Sequence, residues 1–276
     1  MFGFSKQAYY KQSKRKQNKA LREDGTTRAV LQLRRLLPRL GTRKLHYMLK
    51  GEIDIGRDKL FTLLRKQGLL ITKRKRYTVT TNSRHWMHKY PNQIKDIRIS
   101  RPEQVWVADI TYLDTVEGNA FLHLITDAYS KQIMGYELCD NMEAASTAKA
   151  LKMALKNRKY SSALIHHSDR GLQYCSKAYV SILQENGIQI SMTENGSPYE
   201  NAIAERMNGI LKDEFGLSEQ LEDLNAAFRQ TSQSINLYNT LRPHSSCQLL
   251  TPQQMHQQQE IIIKTYKKTS NIFEDV

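Results

Sequence analysis

The sequence predicts an α/β protein: a mixed five-stranded sheet with helices on both faces, preceded by a small helical domain and a basic arm. Three observations predict it. Three strand-type runs come in succession at 105–113, 120–127 and 132–138. Two shorter apolar runs at 163–167 and 188–192 then alternate with helical stretches. Before residue 103 the only sustained periodicity is helical, and most of the basic charge lies there. Residues 1–101 hold 27 basic and 6 acidic side chains, about +21, against 15 basic and 21 acidic in the remainder, about -6. A basic region attached to a mildly acidic core is the footprint of a polyanion binder.

Taken in order, residues 1–27 form the basic arm. Lys6 to Arg22 lack apolar periodicity and read as a solvated, partly disordered tail that orders on phosphates. Residues 28–72 read as three helices. Val30, Leu31, Leu33, Leu36 and Leu37 mark the first, ended by Pro38. Thr42 is the expected cap of the second, which turns Leu45, Met48 and Leu49 inward and carries Arg43 and Lys44. After a turn at 51–55, a third helix spans 57–67 with Leu60, Phe61 and Leu64 inward and Gly68 as its stop. Two short helices about a turn resemble a helix-turn-helix, and Arg57, Lys59, Arg65 and Lys66 suit phosphate or groove contact. A basic bundle that packs on the core or on a sister subunit fits as well. Residues 73–102, opening with Lys73-Arg-Lys-Arg76, read as a basic linker.

The core is expected over 103–220. Val116-Glu-Gly-Asn119 joins the first two strands as a hairpin. Helices are expected at 144–157 and 176–186, the latter stopped by Gly187, and a long helix at 221–238 opens a C-terminal extension over 221–276. Within it, 253–260 reads as a polar helix. No apolar run is long enough for a membrane span or a secretory signal. Cys139, Cys175 and Cys247 stand far apart, as reduced thiols of a cytosolic protein do, and the first half has no Cys for a zinc module.

Three acids carry the chemistry. Asn195-Gly-Ser-Pro198 is a turn signal, and a helix capped by Asn201 follows. Ile203, Met207, Ile210, Leu211 and Phe215 recur on one side of it, while Glu205, Asn208 and Lys212 share another. Asp109 sits inside a strand that is apolar on both sides, and Asp169 directly follows a second apolar run. A carboxylate in such a place needs a partner, and a divalent metal is one. Any one of these acids alone would be unremarkable; the combination points to a site. Glu200, five residues before Glu205, falls on a different side and reads as a first-turn acid. His166 and His167 lack the further His or Cys that zinc would want, and His167 reads as a hydrogen-bonding neighbour of the acids.

Asp109-Ile-Thr-Tyr112, His167-Ser-Asp-Arg-Gly-Leu-Gln-Tyr174, Glu200-Asn-Ala-Ile-Ala-Glu205 and Tyr238-Asn-Thr-Leu-Arg-Pro-His244, with Thr251-Pro252, resemble the DDE transposases of bacterial insertion sequences. The similarity runs over nearly the whole chain. It is greatest to the second-reading-frame product of the group that makes its transposase by ribosomal frameshifting. The resemblance implies a ribonuclease-H-like, retroviral-integrase-like core. It implies Asp109, Asp169 and Glu205 as catalytic metal ligands for two Mg²⁺ ions, with Mn²⁺ able to substitute. Asp109 then bridges both ions, and Lys212 meets DNA phosphate or instead pairs with Glu205. It implies DNA cleavage and strand transfer, element ends and target DNA as partners, and a homo-oligomer at the nucleoid in the cytoplasm. An upstream frame would be fused to the chain, whose Phe2-Gly-Phe-Ser5 start is like that of the second frame. Arg206 stands where many relatives have Ser, and Cys247 where they often have Leu. The Arg242-Pro-His244 block either clamps DNA or pins the C-terminal loop. The competing function is that of an inactive or partial-product DNA-binding protein that regulates transposition; the intact acid triad is the feature that separates the two.

Overall fold

A computed structural model describes residues 5–72, 86–95, 97–194 and 202–257. The expected Lys73–Arg76 cluster, the Asn195–Pro198 turn, Glu200, the Asn201 cap and the last three residues of the 253–260 helix, 258–260, lie outside those residues.

The chain opens with α1, Lys6–Leu36, a helix of 31 residues. The Ser5 side chain caps it, accepting from the Ala8 N–H at 3.2 Å. The expected tail is therefore helical. Its lysines, glutamines and alanines are good helix formers, and Gly25 is its one interior residue of poor propensity, with no proline inside. The first half of the helix has no apolar face and so leaves no apolar period to read. α1 stops at Leu36, ahead of Pro38 as expected. Next come α2, Thr42–Met48, and α3, Arg57–Lys66. Gly41 is the cap of α2, and Thr42 is instead its first residue, buried against the bundle. Val30, Leu37, Leu40, Leu45, Leu60 and Leu64 form the bundle's centre, which is continuous with the core beneath one face of the sheet.

That sheet has the order β3-β2-β1-β4-β5. β1 (Val105–Thr115), β2 (Gly118–Asp127) and β3 (Ile133–Cys139) are an antiparallel meander. β4 (Ile165–Ser168) and β5 (Gln189–Met192) add in parallel on the other side of β1. Gly118 makes the β1–β2 turn with φ +127°, a conformation that L side chains rarely adopt. On one face, Leu122, Leu124 and Leu138 pack with α7 (Ala202–Glu214) and α8 (Leu224–Thr240). On the other, Trp106, Ala108, Ile125 and Met134 pack with α4 (Ala144–Lys156) and α6 (Lys177–Glu185). Approach there is close: a Cβ on Gly135 would lie 2.2 Å from the Ala150 carbonyl oxygen, so β3 tolerates only glycine under α4.

Two boundaries depart from expectation. A short α5, Leu172–Cys175, precedes α6. The last long helix starts at Leu224 rather than 221, because Leu221 bridges to Thr115 and Asp223 supplies the cap. The last helix among the described residues, α9 (Pro252–His256), starts with a capping box between Thr251 and Gln254.

Candidate active site

Strand register creates the site. β1 and β4 run in parallel with Val107 opposite His167. Two residues beyond that pair stand Asp109, inside β1, and Asp169, just past the end of β4, near enough for the Asp169 charge to act on Asp109. Helix α7 lies over β1 and carries Glu205 in its first turn. One turn on, the Asn208 amide donates to Asp109 Oδ2 at 2.7 Å, which ties the Glu205 helix to the first acid. The other Asp109 oxygen accepts the Ile110 N–H at 3.0 Å. Asp169 Oδ1 accepts from the Gly171 N–H at 3.0 Å. A further turn along α7, the Lys212 ammonium sits 4.3 Å from the centre of the Tyr112 ring on β1.

The electrostatics follow from this arrangement. Burial pushes the Asp109 carboxyl up, to about 7, and the Asp169 charge pushes the same way; the Ile110 N–H opposes, Glu205 adds to the rise, and Asn208 opposes again. Both other acids therefore act on Asp109. Both donors to Asp109 are neutral. A cleft lined by Tyr112, Phe121, Met142, Gln173 and Tyr174 opens onto Asp109 and Asp169. Among the described residues, no three His, Cys, Asp or Glu side chains already converge on one point as a metal cage. Glu205 is exposed, beside the undescribed 195–201 segment. The donor set itself is all carboxylate oxygen with mutual repulsion, which fits a hard divalent cation and not zinc.

Neighbouring histidines have structural work. His166 is buried, bonds the Tyr179 hydroxyl at 2.9 Å, and is pushed down to about 3 by burial and then by His167. His167 Nδ1 meets Ser191 Oγ on β5 at 2.8 Å.

The two alternatives for Arg242-Pro-His244 are resolved by burial. Arg242 is 1% exposed and forks onto Glu214 at 2.7 and 2.6 Å. His244, its basicity driven down to about 2 by burial and then by Arg242, bonds Ser246 at 2.8 Å. The preceding Tyr238 hydroxyl donates to the Lys131 carbonyl at 2.8 Å. Asn239 brackets Ile133 with bonds to both its N–H and its carbonyl, each 3.0 Å. This motif pins α8 to the edge strand and to the end of α7. Sequence reasoning missed Glu214; an arginine between apolar residues was the signal that an acid partner existed.

Of the basic residues, Arg43, Arg57, Lys59, Arg65 and Lys66 are exposed on α2 and α3, with Arg57 bonded to Asp58 at 2.9 Å. Lys44 is half-buried instead: it is drawn in against Glu214 at 3.5 Å and pushed down to about 8 by burial and by Arg242.

The integrase core domain family matches this chain at residues 99–198, and a second model of the same description matches 186–252. The 31 kDa protein of insertion element IS600 from Shigella sonnei is 33% identical over 257 residues, 91% of this chain and 94% of that protein. The chain belongs to the insertion-sequence transposases with an integrase core. Transposase InsF of IS3A from Escherichia coli is 34% identical over 193 residues, 69% of this chain and 67% of the relative. A chain of the simian T-cell lymphotropic virus intasome superposes with a TM-score of 0.51 at 18% identity, covering 87% of this chain and 78% of that one. At that identity the likeness shows the fold, which is the ribonuclease-H-like sheet expected for this transposase.

Proposed function

We propose that this transposase cuts and joins DNA strands by divalent-metal-dependent phosphoryl transfer at Asp109, Asp169 and Glu205. One observation supports the reading above the others: the β1–β4 register sets Asp109 beside Asp169, and α7 carries Glu205 to where its charge acts on Asp109. Mg²⁺ or Mn²⁺, as a pair of ions, would supply the positive charge that activates the attacking oxygen and stabilises the leaving one. Asp109, Asp169 and Glu205 would hold those ions through their carboxylate oxygens. Ile110 and Asn208 fix the two Asp109 oxygens so that the carboxylate does not rotate. Lys212, standing over Tyr112 in line with Glu205, faces the phosphate next to the scissile bond. Arg43, Arg57, Lys59, Arg65 and Lys66 form the DNA-facing side of the helical region. The nucleophile is water in cleavage and a DNA 3′-hydroxyl in joining. The working form is an oligomer on two element ends, completed by an upstream-frame partner.

The test needs no knowledge of those ends. Branched DNA with a free 3′-hydroxyl is incubated with the protein and with Glu205→Gln, in Mg²⁺ or Mn²⁺. Resolution by the parent and none by the variant is the expected result. Tight, salt-sensitive binding without resolution by either would replace this reading with that of a regulatory DNA-binding protein.

A further inference from the structure

The first half of α1 stands away from the rest of the described chain. From Tyr9 to Arg22 every residue is exposed, and burial begins only at Thr26 and Val30. No acid occurs between Lys6 and Arg22. Lys11, Arg15, Lys19 and Arg22 fall within one narrow sector, because steps of four, four and three residues return to the same side of a 3.6-residue helix. Lys14 lies beside that sector. The result is a basic stripe with successive charges on the order of 6 Å apart along the axis.

This stripe works against the helix that carries it. Like charges one turn apart destabilise a helix, and a segment with no packed face has little else to hold it. Among the described residues relief is weak: Lys19 reaches the half-buried Glu23 at 3.8 Å, and Arg22 reaches Asp54 on the α2–α3 side at 3.2 Å at the exposed surface. A partner that converts the repulsion into attraction must be a polyanion with regular spacing. It must also be long enough to run beside roughly four turns of helix.

We infer that the projecting half of α1 is a phosphate-tracking rod that lies along the backbone of duplex DNA and binds it without reading bases. The proposal rests on the DNA-transposing function above but assigns it a second surface, separate from the acid site and from α2 and α3. Charge complementarity and the lack of any apolar face favour DNA over a protein helix, which would want an apolar stripe to pack against.

The test uses the full chain with Lys11→Gln, Lys14→Gln, Arg15→Gln and Lys19→Gln combined. None of these side chains is packed, so the fold is retained, and thermal melting checks that. Binding to several unrelated duplexes is measured from 50 to 200 mM salt. The slope of log affinity against log salt should become shallower by about one per removed contact, and affinity should fall roughly tenfold or more at low salt, equally for every duplex. Tyr10→Ser and Ser13→Ala, off the stripe, should leave both unchanged. An unchanged slope overturns the inference. So does a loss confined to one DNA sequence, or a change of oligomeric state with DNA binding intact. Resolution of branched DNA by Glu205 chemistry is scored separately, so failure of the rod and failure of the active site are distinguishable.

Discussion

Two clusters of acids lie along the central strands, one at the start of β1 and one at Asp109 further along it, and the protein treats them in opposite ways. In the first cluster Glu103 and Asp127 are fully buried. Asp127 accepts the Glu103 N–H, the Ser130 N–H and the Ser130 hydroxyl, each at 2.7 Å. Glu103 accepts the Lys159 and Tyr160 N–H groups at 2.8 and 3.0 Å, with Arg158 at 3.7 Å. Between them stands His256, 3.2 Å from Glu103 and 3.7 Å from Asp127. Among the described residues, Asp109 receives two neutral donors and faces two further acids. Buried acids that serve the fold are matched by a cation of the chain itself. Among the described residues no cation of the chain is matched to Asp109, which accords with the proposal that these acids hold an outside cation.

The contrast is broken most severely at the Asp109 cluster. Asp109→Asn should lower strand cleavage and joining by about 10³-fold or more. It should leave the melting temperature unchanged or slightly raised, because it removes a carboxyl held well above its ordinary 3.8 by burial and by Asp169. A gel assay on branched DNA and a thermal melt check the two halves. Loss of stability together with activity would make Asp109 a structural acid after all.

At the other cluster the sign reverses. His256→Ala leaves two buried carboxylates without their shared cation, and should destabilise the fold by about 3–5 kcal/mol, measured by denaturant unfolding. Activity of the folded fraction should be retained. The α9 helix and its buried Met255 are expected to come loose first, seen as lost hydrogen-exchange protection.

Which of these clusters the sequence discloses follows from distance along the chain. Asp109 and Asp169 each stand at a fixed place in a strand run, and the antiparallel-then-parallel order of strands brings those runs together. Glu205, Asn208 and Lys212 share a helix side by spacing alone. Periodicity and the family motifs thus made the acid site legible. His256 and Glu103 are 153 residues apart, and nothing local marks either as charged and buried. Glu103 even takes a left-handed backbone, φ 53°, which no pattern announces. The α1 rod was illegible for a different reason: periodicity finds helices through their buried faces, and this one has none over its first half. Thr42 was read as a cap by residue type, whereas the bundle needed it one position later, inside the helix.

Metal sharpens the comparison further. Millimolar Mn²⁺ or Mg²⁺ at about 100 times its dissociation constant should stabilise the parent by roughly 2.7 kcal/mol, and chelation should remove the gain. Asp109→Asn should lose most of it, and His256→Ala should keep it. An equal response in both variants would mean that the ion binds elsewhere.

The smallest effect is in the pH dependence of the Glu103 cluster. Burial alone would depress His256, but the Asp127 and Glu103 carboxylates beside it, with the hydrogen bond to Glu103, hold it at about 9 against an ordinary 6.5. A histidine raised in the folded state contributes stability that is complete below about pH 6.5 and disappears as the pH climbs through 9. The parent should therefore lose about 1–2 kcal/mol between pH 6.5 and 8, read from denaturant midpoints at each pH. His256→Gln keeps size and hydrogen bonding but cannot take the proton, so its stability should start lower and stay flat across the same range. A parallel decline in parent and variant would place the alkaline loss on another group and would return the Glu103–Asp127 pair to ordinary hydrogen bonding without a charged partner.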